Sequence, residues 1–435
     1  TGSYYTPKDI VDFMVEESVL EYLKTNTNIT ENKLKQVISY QEKIELSKEE
    51  KEEITKAIDQ IKIIDPAVGS GAFPIGILHK LVYILSKIDK DNQIWKKLQI
   101  EKLEELKNIN EIFNENSNYP DYARKLYLIK NSIHGVDIQP IAIQITKLRI
   151  FLSLIIEQKI DKSKENFGIR PLPYLETKFI VANTLIGLNK IEQRILLLKD
   201  IKQLKKELKY LYKKHFNVKT KEEKLRIIEK AKEIKEKLAE RLREIGFLSE
   251  GIEKVIKFDV FNQTEKADWF DPEWMFGIED GFDIVIGNPP YVKHKKIKNT
   301  KEILKKQEYK LFTSTANLYV YFYEKGIKLL KDKGILSYIT SNNWLKADYG
   351  IKLRKYLKEN TKIIKIINFS NYKIFEQEIY TNIITLQKNK PSQNWEFEFV
   401  EVKDNNIDNV IDFVKNNYHK VKQENLYIIS WNSES

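Results

Sequence analysis

Seven short runs rich in Ile, Val and Phe constrain the fold of this chain: Ile61–Ile64, Ile133–Val136, Phe179–Ala182, Phe282–Ile286, Ile335–Thr340, Ile363–Asn368 and Asn382–Leu386. Most lack the apolar–polar alternation of a half-exposed strand. They read as strands buried on both faces, as in a parallel sheet covered by helices. Helical segments follow several of them, at Ala72–Leu85, Pro140–Ile156, Asn317–Leu330 and Trp344–Leu357. The alternation predicts an α/β fold with a doubly wound, mostly parallel, Rossmann-like sheet. Residues 369–381 join the last two runs without a long helix, which predicts an antiparallel edge hairpin. Strong helix formers fill 25–60 and 87–130 as helical insertions. The expected layout is one half of the sheet domain in 1–188, an insertion in 189–256, the other half in 257–390 and a C-terminal extension from 391 to 435.

Composition narrows the class. With 31% charged and 42% hydrophobic residues, the chain is too apolar for disorder and too charged for a membrane protein. The longest apolar run, Ile150–Ile156, is far short of the roughly 18 residues a bilayer span needs, and no signal pattern opens the chain. A soluble, cytoplasmic protein without membrane contact is expected. There is no Cys, and the five His are scattered, so no disulfide scaffold or thiolate metal site is expected, and no metal is required. The chain opens on Thr1 rather than Met, as an excised piece of a longer chain would.

The net charge of +11 is uneven: residues 190–245 hold 19 Lys/Arg against 10 Asp/Glu, a net of +9. Apolar residues recur there every three or four positions, from Ile191 through Leu211 and from Leu225 to Ile245. Two amphipathic helices joined near Phe216–Thr220 would zip into an antiparallel hairpin. A solvated helical face explains such a charge run. The sharper expectation is that the hairpin leaves the ligand-binding edge of the sheet and meets the phosphates of a polyanion through Lys205, Lys206, Lys209 and Lys213.

Chemistry concentrates where the apolar runs end. Asp65-Pro66-Ala67-Val68-Gly69-Ser70-Gly71 follows the first strand and opens a helix. Glycines there let the backbone approach a ligand, and the helix start presents free N–H groups. A carboxylate at the strand tip repels phosphate, and no Walker lysine follows, so a zwitterionic nucleoside such as S-adenosylmethionine fits better than a nucleotide. The second strand ends at Asp137-Ile138, an acid suited to two ribose hydroxyls. The third ends at Asn183, an amide where an adenine edge would sit, although such a residue is equally at home in a turn.

Ile286-Gly287-Asn288-Pro289-Pro290-Tyr291 is the most specific segment. The prolines remove backbone donors and stiffen the turn, which leaves the Asn288 side chain and the Pro289 carbonyl as acceptors. Two acceptors facing an exocyclic amino group would build up its lone pair towards a methyl donor. Tyr291 supplies a stacking face for a planar base.

Read together, DPAVGSGAF, GVDIQP, the Asn183 strand end and IGNPPY resemble the amino-group DNA methyltransferases. The opening GSYYTP is similar to the upstream methionine-binding motif of the gamma class of adenine-N6 enzymes. Asn317-Leu318-Tyr319, Ser341 to Leu345 and the Phe375 loop also match in order, and FDPEWMFGIEDGFDIVIGNPPYVKH resembles the methylase domain of type IIG restriction-modification enzymes. The resemblance implies a methyltransferase sheet using S-adenosylmethionine on double-stranded DNA with a flipped adenine. It implies that Tyr4, Tyr5 and Thr6 hold the methionine end, Asp65, Gly69 and Gly71 line its passage, Asp137 takes the ribose, and Ile138 and Asn183 take the adenine. Asn288, Pro289 and Tyr291 would hold the target base, with Phe375 as a second aromatic wall.

The family carries a target recognition domain, and the fused enzymes a nuclease, so a recognition domain and a nuclease fused or paired with this chain are expected partners. Glu401-Val402-Lys403 has nuclease-like E-x-K spacing, but it reads as an ordinary edge strand. N4-cytosine has the same amino chemistry. The NPPY tetrad also occurs in enzymes methylating RNA guanine or protein glutamine, which stand as the alternative.

Overall fold

The computed structural model describes residues 5–40, 44–101, 120–158, 161–163, 165–169, 173–188, 198–216, 218, 220–244, 250–262, 265–377, 379–426 and 431. Its strands are β1 (Ile63–Asp65), β2 (Ile133–Asp137), β3 (Phe179–Val181), β4 (Phe282–Gly287), β5 (Leu330–Ser341), β6 (Lys362–Phe369), β7 (Thr381–Gln387), β8 (Glu396–Glu401) and β9 (His419–Lys422). The helices used below are α1 (Lys8–Asn26), α2 (Ala72–Ile88), α3 (Pro140–Ile155), α4 (Lys199–Phe216), α5 (Lys221–Glu244), α6 (Leu318–Leu329) and α7 (Ile351–Asn360).

The nine strands form one mostly parallel sheet in the order β3-β2-β1-β4-β5-β7-β6-β8-β9. All seven anticipated strands are present. β7 lies antiparallel between β5 and β6, with Ile339 opposite Ile383 and Ile366 opposite Ile384. Beyond this hairpin the sheet continues through β8, parallel to β6, to an antiparallel edge strand β9. β8 alternates, with Phe397 and Phe399 buried while Glu396 is exposed, as expected of a strand near the rim. β5 starts at Leu330, earlier than its apolar run, because the polar Lys331–Gly334 segment still pairs through Lys333 N–H to Lys388 O and Lys388 N–H to Gly334 O.

One anticipated helix is broken. The Trp344–Leu357 segment divides into a short 3-10 turn, Asn342–Leu345, and α7. Carbonyls at the break would lack helical partners. The fully buried Arg354 guanidinium supplies them, donating to Ala347 O at 3.0 Å and to Trp344 O.

Close packing divides the chain into two units. The first comprises residues 1–68, 72–133 and 281–435. Its core includes Phe13, Met14 and Val19 of α1, Ile77 and Leu81 of α2, and Ile284–Ile286 of β4. Two of its shielded lysines have carboxylate partners, as burial favours. The Lys80 ammonium meets Glu16 at 2.9 Å and lies 3.5 Å from the Tyr40 ring centroid. Lys365 bridges Glu17 of α1 and Glu398 of β8 at 2.6 and 3.0 Å.

The second unit comprises residues 69–71 and 134–280. In it α4 and α5 form the anticipated hairpin; residues 189–197 of the first apolar run lie outside the described residues. The hairpin turn packs on residues preceding β3: Lys224 lies 3.8 Å from Glu176 and 4.0 Å from the Tyr174 ring centroid, and His215 contacts the Tyr174 ring. That is the end of β3 opposite the β2 tip at Asp137, because the two strands are parallel with Asp137 beside Val181. Two of the four lysines expected to reach phosphates have carboxylate partners. Lys205 is buried against Glu273, and Lys209 pairs with Glu279. Lys206 and Lys213 are exposed. On these contacts, one end of the hairpin braces the β3 end remote from Asp137.

His215 seals the brace. It is fully buried between Tyr174 and Phe261, neither ring nitrogen has a hydrogen-bond partner among the described residues, and burial pushes its pKa down to about 4. The unfolded chain, titrating near 6.5, binds the proton first as pH falls. Stability is therefore lost between about pH 6.5 and 4, by on the order of 2–3 kcal/mol. Thermal melts at pH 7.5, 6 and 4.5 should show a shallower acid decline in His215→Phe than in the parent; equal declines would remove His215 from the acid response.

Candidate functional site

In the second unit the glycine segment is built for close approach. Gly69 and Gly71 have φ of +52° and +81°, a region that side chains disfavour. A Cβ on Gly71 would lie 2.9 Å from the Thr146 side chain on α3. That hydroxyl donates to Gly69 O at 3.0 Å, and Arg149, also on α3, donates to Ser70 O at 2.9 Å. Helix α3 therefore shapes this segment through two side chains absent from the motif itself.

Asp137 at the β2 tip closes the arrangement. One carboxylate oxygen accepts the Gly69 N–H and the other the Gln139 N–H, both at 2.9 Å. Burial pushes its pKa above the usual aspartate range, and the N–H groups of Gln139, Gly69 and Ile138 counter that only partly. A carboxylate offers about four acceptor positions, so these two bonds leave capacity for two hydroxyl donors. Ile138 follows it, 46% exposed at the strand tip, an apolar face beside an acid. Asn183 uses its side-chain oxygen locally, accepting the Leu185 N–H at 3.3 Å, while its own N–H donates to Ala267 O. The turn role that its residue type allows is the one observed.

The first unit gathers the other residues. Asp65 is 1% exposed at the β1 tip and accepts the Ala67 N–H at 3.0 Å. Its carboxylate lies against Gly287, where a Cβ would come within 2.6 Å of Oδ1. Glycine at 287 thus lets the acid of β1 sit directly under the turn that β4 feeds. At that turn the Asn288 amide nitrogen donates to the Thr6 hydroxyl at 3.1 Å, and Thr6 is 3% exposed. Pro289 is buried beside it.

Tyr291 is 8% exposed and donates its hydroxyl to Ile339 O at 3.2 Å. Its ring meets Tyr319 and Phe375 at centroid distances of 6.1 and 6.2 Å, both edge-on. Phe375 is thus next to Tyr291, but their rings are inclined by 66° rather than parallel. Asn317 pins the segment that follows: it accepts the His294 N–H at 3.1 Å and donates to the Tyr349 hydroxyl at 3.2 Å, while Leu318 N–H bonds Val292 O at 3.0 Å.

Of the residues singled out in the sequence, Tyr4 lies outside the described residues and Tyr5 is 68% exposed. The structure brings together Asp137 with Gly69, Asn288 with Thr6, and Tyr291 with Phe375. Sequence reasoning missed the contact of Thr6 with Asn288, 282 positions apart, and the Tyr349–Asn317 brace. The Thr6-Pro7 dipeptide was a usable signal, because a residue before proline is held extended and cannot join the helix behind it.

Residues 131–375 match the Eco57I restriction-modification methylase family, more than half of the chain. The type II restriction enzyme and methyltransferase RM.Eco57I of Escherichia coli is 37% identical over 127 residues, covering 28% of this chain and 12% of that protein. A Methanocaldococcus jannaschii protein whose name marks it as a presumed enzyme of the same kind, RM.MjaORFECS2P, is 26% identical over 461 residues, covering 90% of this chain and 36% of that one. The chain thus aligns with well under two thirds of either relative. Among solved structures, the type IIL restriction-modification enzyme MmeI in complex with DNA is 12% identical, covering 96% of this chain and 40% of that chain at a TM-score of 0.44. With the matched segment running from β2 through the glycine-backed Asn288 turn to Phe375, this chain belongs to the Eco57I restriction-modification methylase family.

Proposed function

We propose that this chain methylates the N6 amino group of adenine in DNA, with S-adenosylmethionine as donor, as the modification part of a restriction-modification system. The observation carrying this reading is the β4 tip, where Asn288 and Pro289 follow a buried strand, backed by Gly287 against Asp65 and flanked by the buried Tyr291. Membership of the methylase family supports it, and so do the names of the relatives.

The cofactor fits the donor set. The turn at Gly69 and Gly71 holds positive-φ backbone without side chains, and Asp137 keeps acceptor capacity for ribose hydroxyls. Within the second unit, Ile138 and Asn183 would flank the adenine. When bound, S-adenosylmethionine supplies an electrophilic methyl group.

The residues of the chain do the rest. The Asn288 side-chain carbonyl and the Pro289 backbone carbonyl accept the two hydrogens of the amino group, which draws its lone pair out of conjugation with the ring. Positive charge would grow on that nitrogen as the N–C bond forms and the methyl–sulfur bond of the donor breaks, and the two carbonyl dipoles would stabilise it. The surplus proton then leaves to water. Tyr291 stacks on the base with its ring held by the Ile339 carbonyl. A paired adenine cannot present N6 to a donor in a protein pocket, so the base is taken out of the duplex. A recognition domain, and a nuclease in fused relatives, would supply sequence choice and cleavage.

Asn288→Ala should lower turnover by on the order of 10²–10³-fold, the usual effect of losing one preorganised dipole. Cofactor affinity should be retained. Labelled methyl transfer to duplex DNA, with mapping of the modified base, tests the reading; label appearing only in ribosomal RNA or a protein glutamine overturns it. Asp137→Ala should weaken cofactor binding about ten- to hundredfold by calorimetry, since it removes paired hydrogen bonds worth roughly 1–3 kcal/mol. Unchanged affinity in the folded variant would exclude Asp137 from the ribose. Gly287→Ala forces a Cβ into the Asp65 carboxylate, so its turnover should collapse although the residue touches no substrate. Parent-like turnover would show that this close approach is dispensable.

A further inference from the structure

We infer that Thr6 is a positioning residue for methyl transfer, its hydroxyl setting which way the Asn288 amide faces. The inference rests on the methyl-transfer reading above. A primary amide is nearly symmetric in shape but opposite in polarity at its two ends, so a half-turn of the Asn288 side chain would exchange an acceptor for a donor. With the carbonyl towards the substrate, Asn288 accepts from the amino group. With the NH₂ there instead, two donors face each other and the lone pair gains nothing.

The structure holds the productive choice from behind. The Asn288 nitrogen donates to Thr6 Oγ1 at 3.1 Å, which turns the carbonyl to the other side of the amide. A hydroxyl can also donate, so the selection depends on where the Thr6 oxygen is held. Three features hold it. Thr6 is 3% exposed. Its β-branched side chain has few rotamers, and the following Pro7 confines its backbone to extended conformations. Pro7 in turn starts α1, accepting the Val11 N–H at 3.1 Å, and α1 is anchored by its buried Ile10, Val11, Phe13 and Met14. The N-terminal segment is thereby coupled to the transfer step itself.

The test uses the full chain and two near-isosteric variants. Thr6→Val replaces the hydroxyl with a methyl group; kcat at saturating S-adenosylmethionine should fall about three- to tenfold, the effect of losing one hydrogen bond, whatever change calorimetry shows in cofactor affinity. Thr6→Ser keeps the hydroxyl and should restore most of kcat. If Thr6→Val instead weakens cofactor binding and leaves kcat unchanged, the hydroxyl serves only the cofactor and the inference fails. An activity-independent readout is hydrogen exchange of the Asn288 side-chain NH₂ after selective ¹⁵N-asparagine labelling: slow in the parent and in Thr6→Ser, fast in Thr6→Val. Equal exchange in all three also overturns it. Parent-like turnover of Asn288→Ala would reject the methyl-transfer reading itself, whereas an inactive Asn288→Ala with a fully active Thr6→Val would reject only the role of Thr6.

Discussion

Along β1 to β4, strands buried on both faces accommodate carboxylates only at their ends. That constraint organises this molecule. Ile63, Ile64, Val136, Ile180 and Ile284 to Ile286 are all nearly inaccessible, and a carboxylate among them would carry the full cost of desolvation. Asp65, Asp137, Asn183 and Asn288 all stand at the C-terminal ends of β1, β2, β3 and β4 or just beyond them. There, backbone N–H groups released from the ladder can satisfy them. Asp65 takes one from Ala67, and Asp137 takes two, from Gly69 and Gln139.

The consequence is that the polar groups of the site also support its loops. Asp137 holds the glycine segment through Gly69 while keeping acceptor capacity for a ligand. Asp65 supports the β4 turn because Gly287 has no side chain to keep it away. Substituting either acid would therefore disturb a loop conformation as well as the carboxylate itself. Tyr291 shows the same economy: one end of the ring is bonded to Ile339 O and its edges are packed by Tyr319 and Phe375.

The charged hairpin follows different physics. Its apolar seams are satisfied between α4 and α5, and a few of its basic residues are paired: Lys205 with Glu273, Lys209 with Glu279 and Arg241 with Asp200. Exposed pairs of this kind contribute little stability individually. The buried Lys205 is a different case, since removing Glu273 would leave an uncompensated charge. A net charge counted along a sequence says nothing of such pairing, because Glu273 and Glu279 lie far from the run they neutralise.

The sequence by itself determined the strands, their mostly parallel arrangement and the strand-end positions of the polar residues. These follow from local pattern: buried runs, short turns and helices that start on glycine or proline. It also singled out Asn288-Pro289-Pro290-Tyr291 as the candidate for the chemical centre, on which the proposed function rests. Tertiary structure alone decided the partners. Thr6 meets Asn288 across 282 positions, Gly287 admits Asp65 across 222, and Thr146 and Arg149 shape a glycine segment well upstream of them. It also decided that Arg354 would cap the carbonyls where a helix breaks and that β8 and β9 would extend the sheet. Periodicity reports which face of an element is buried, whereas the choice of contact depends on how folded elements pack, and no local pattern encodes that.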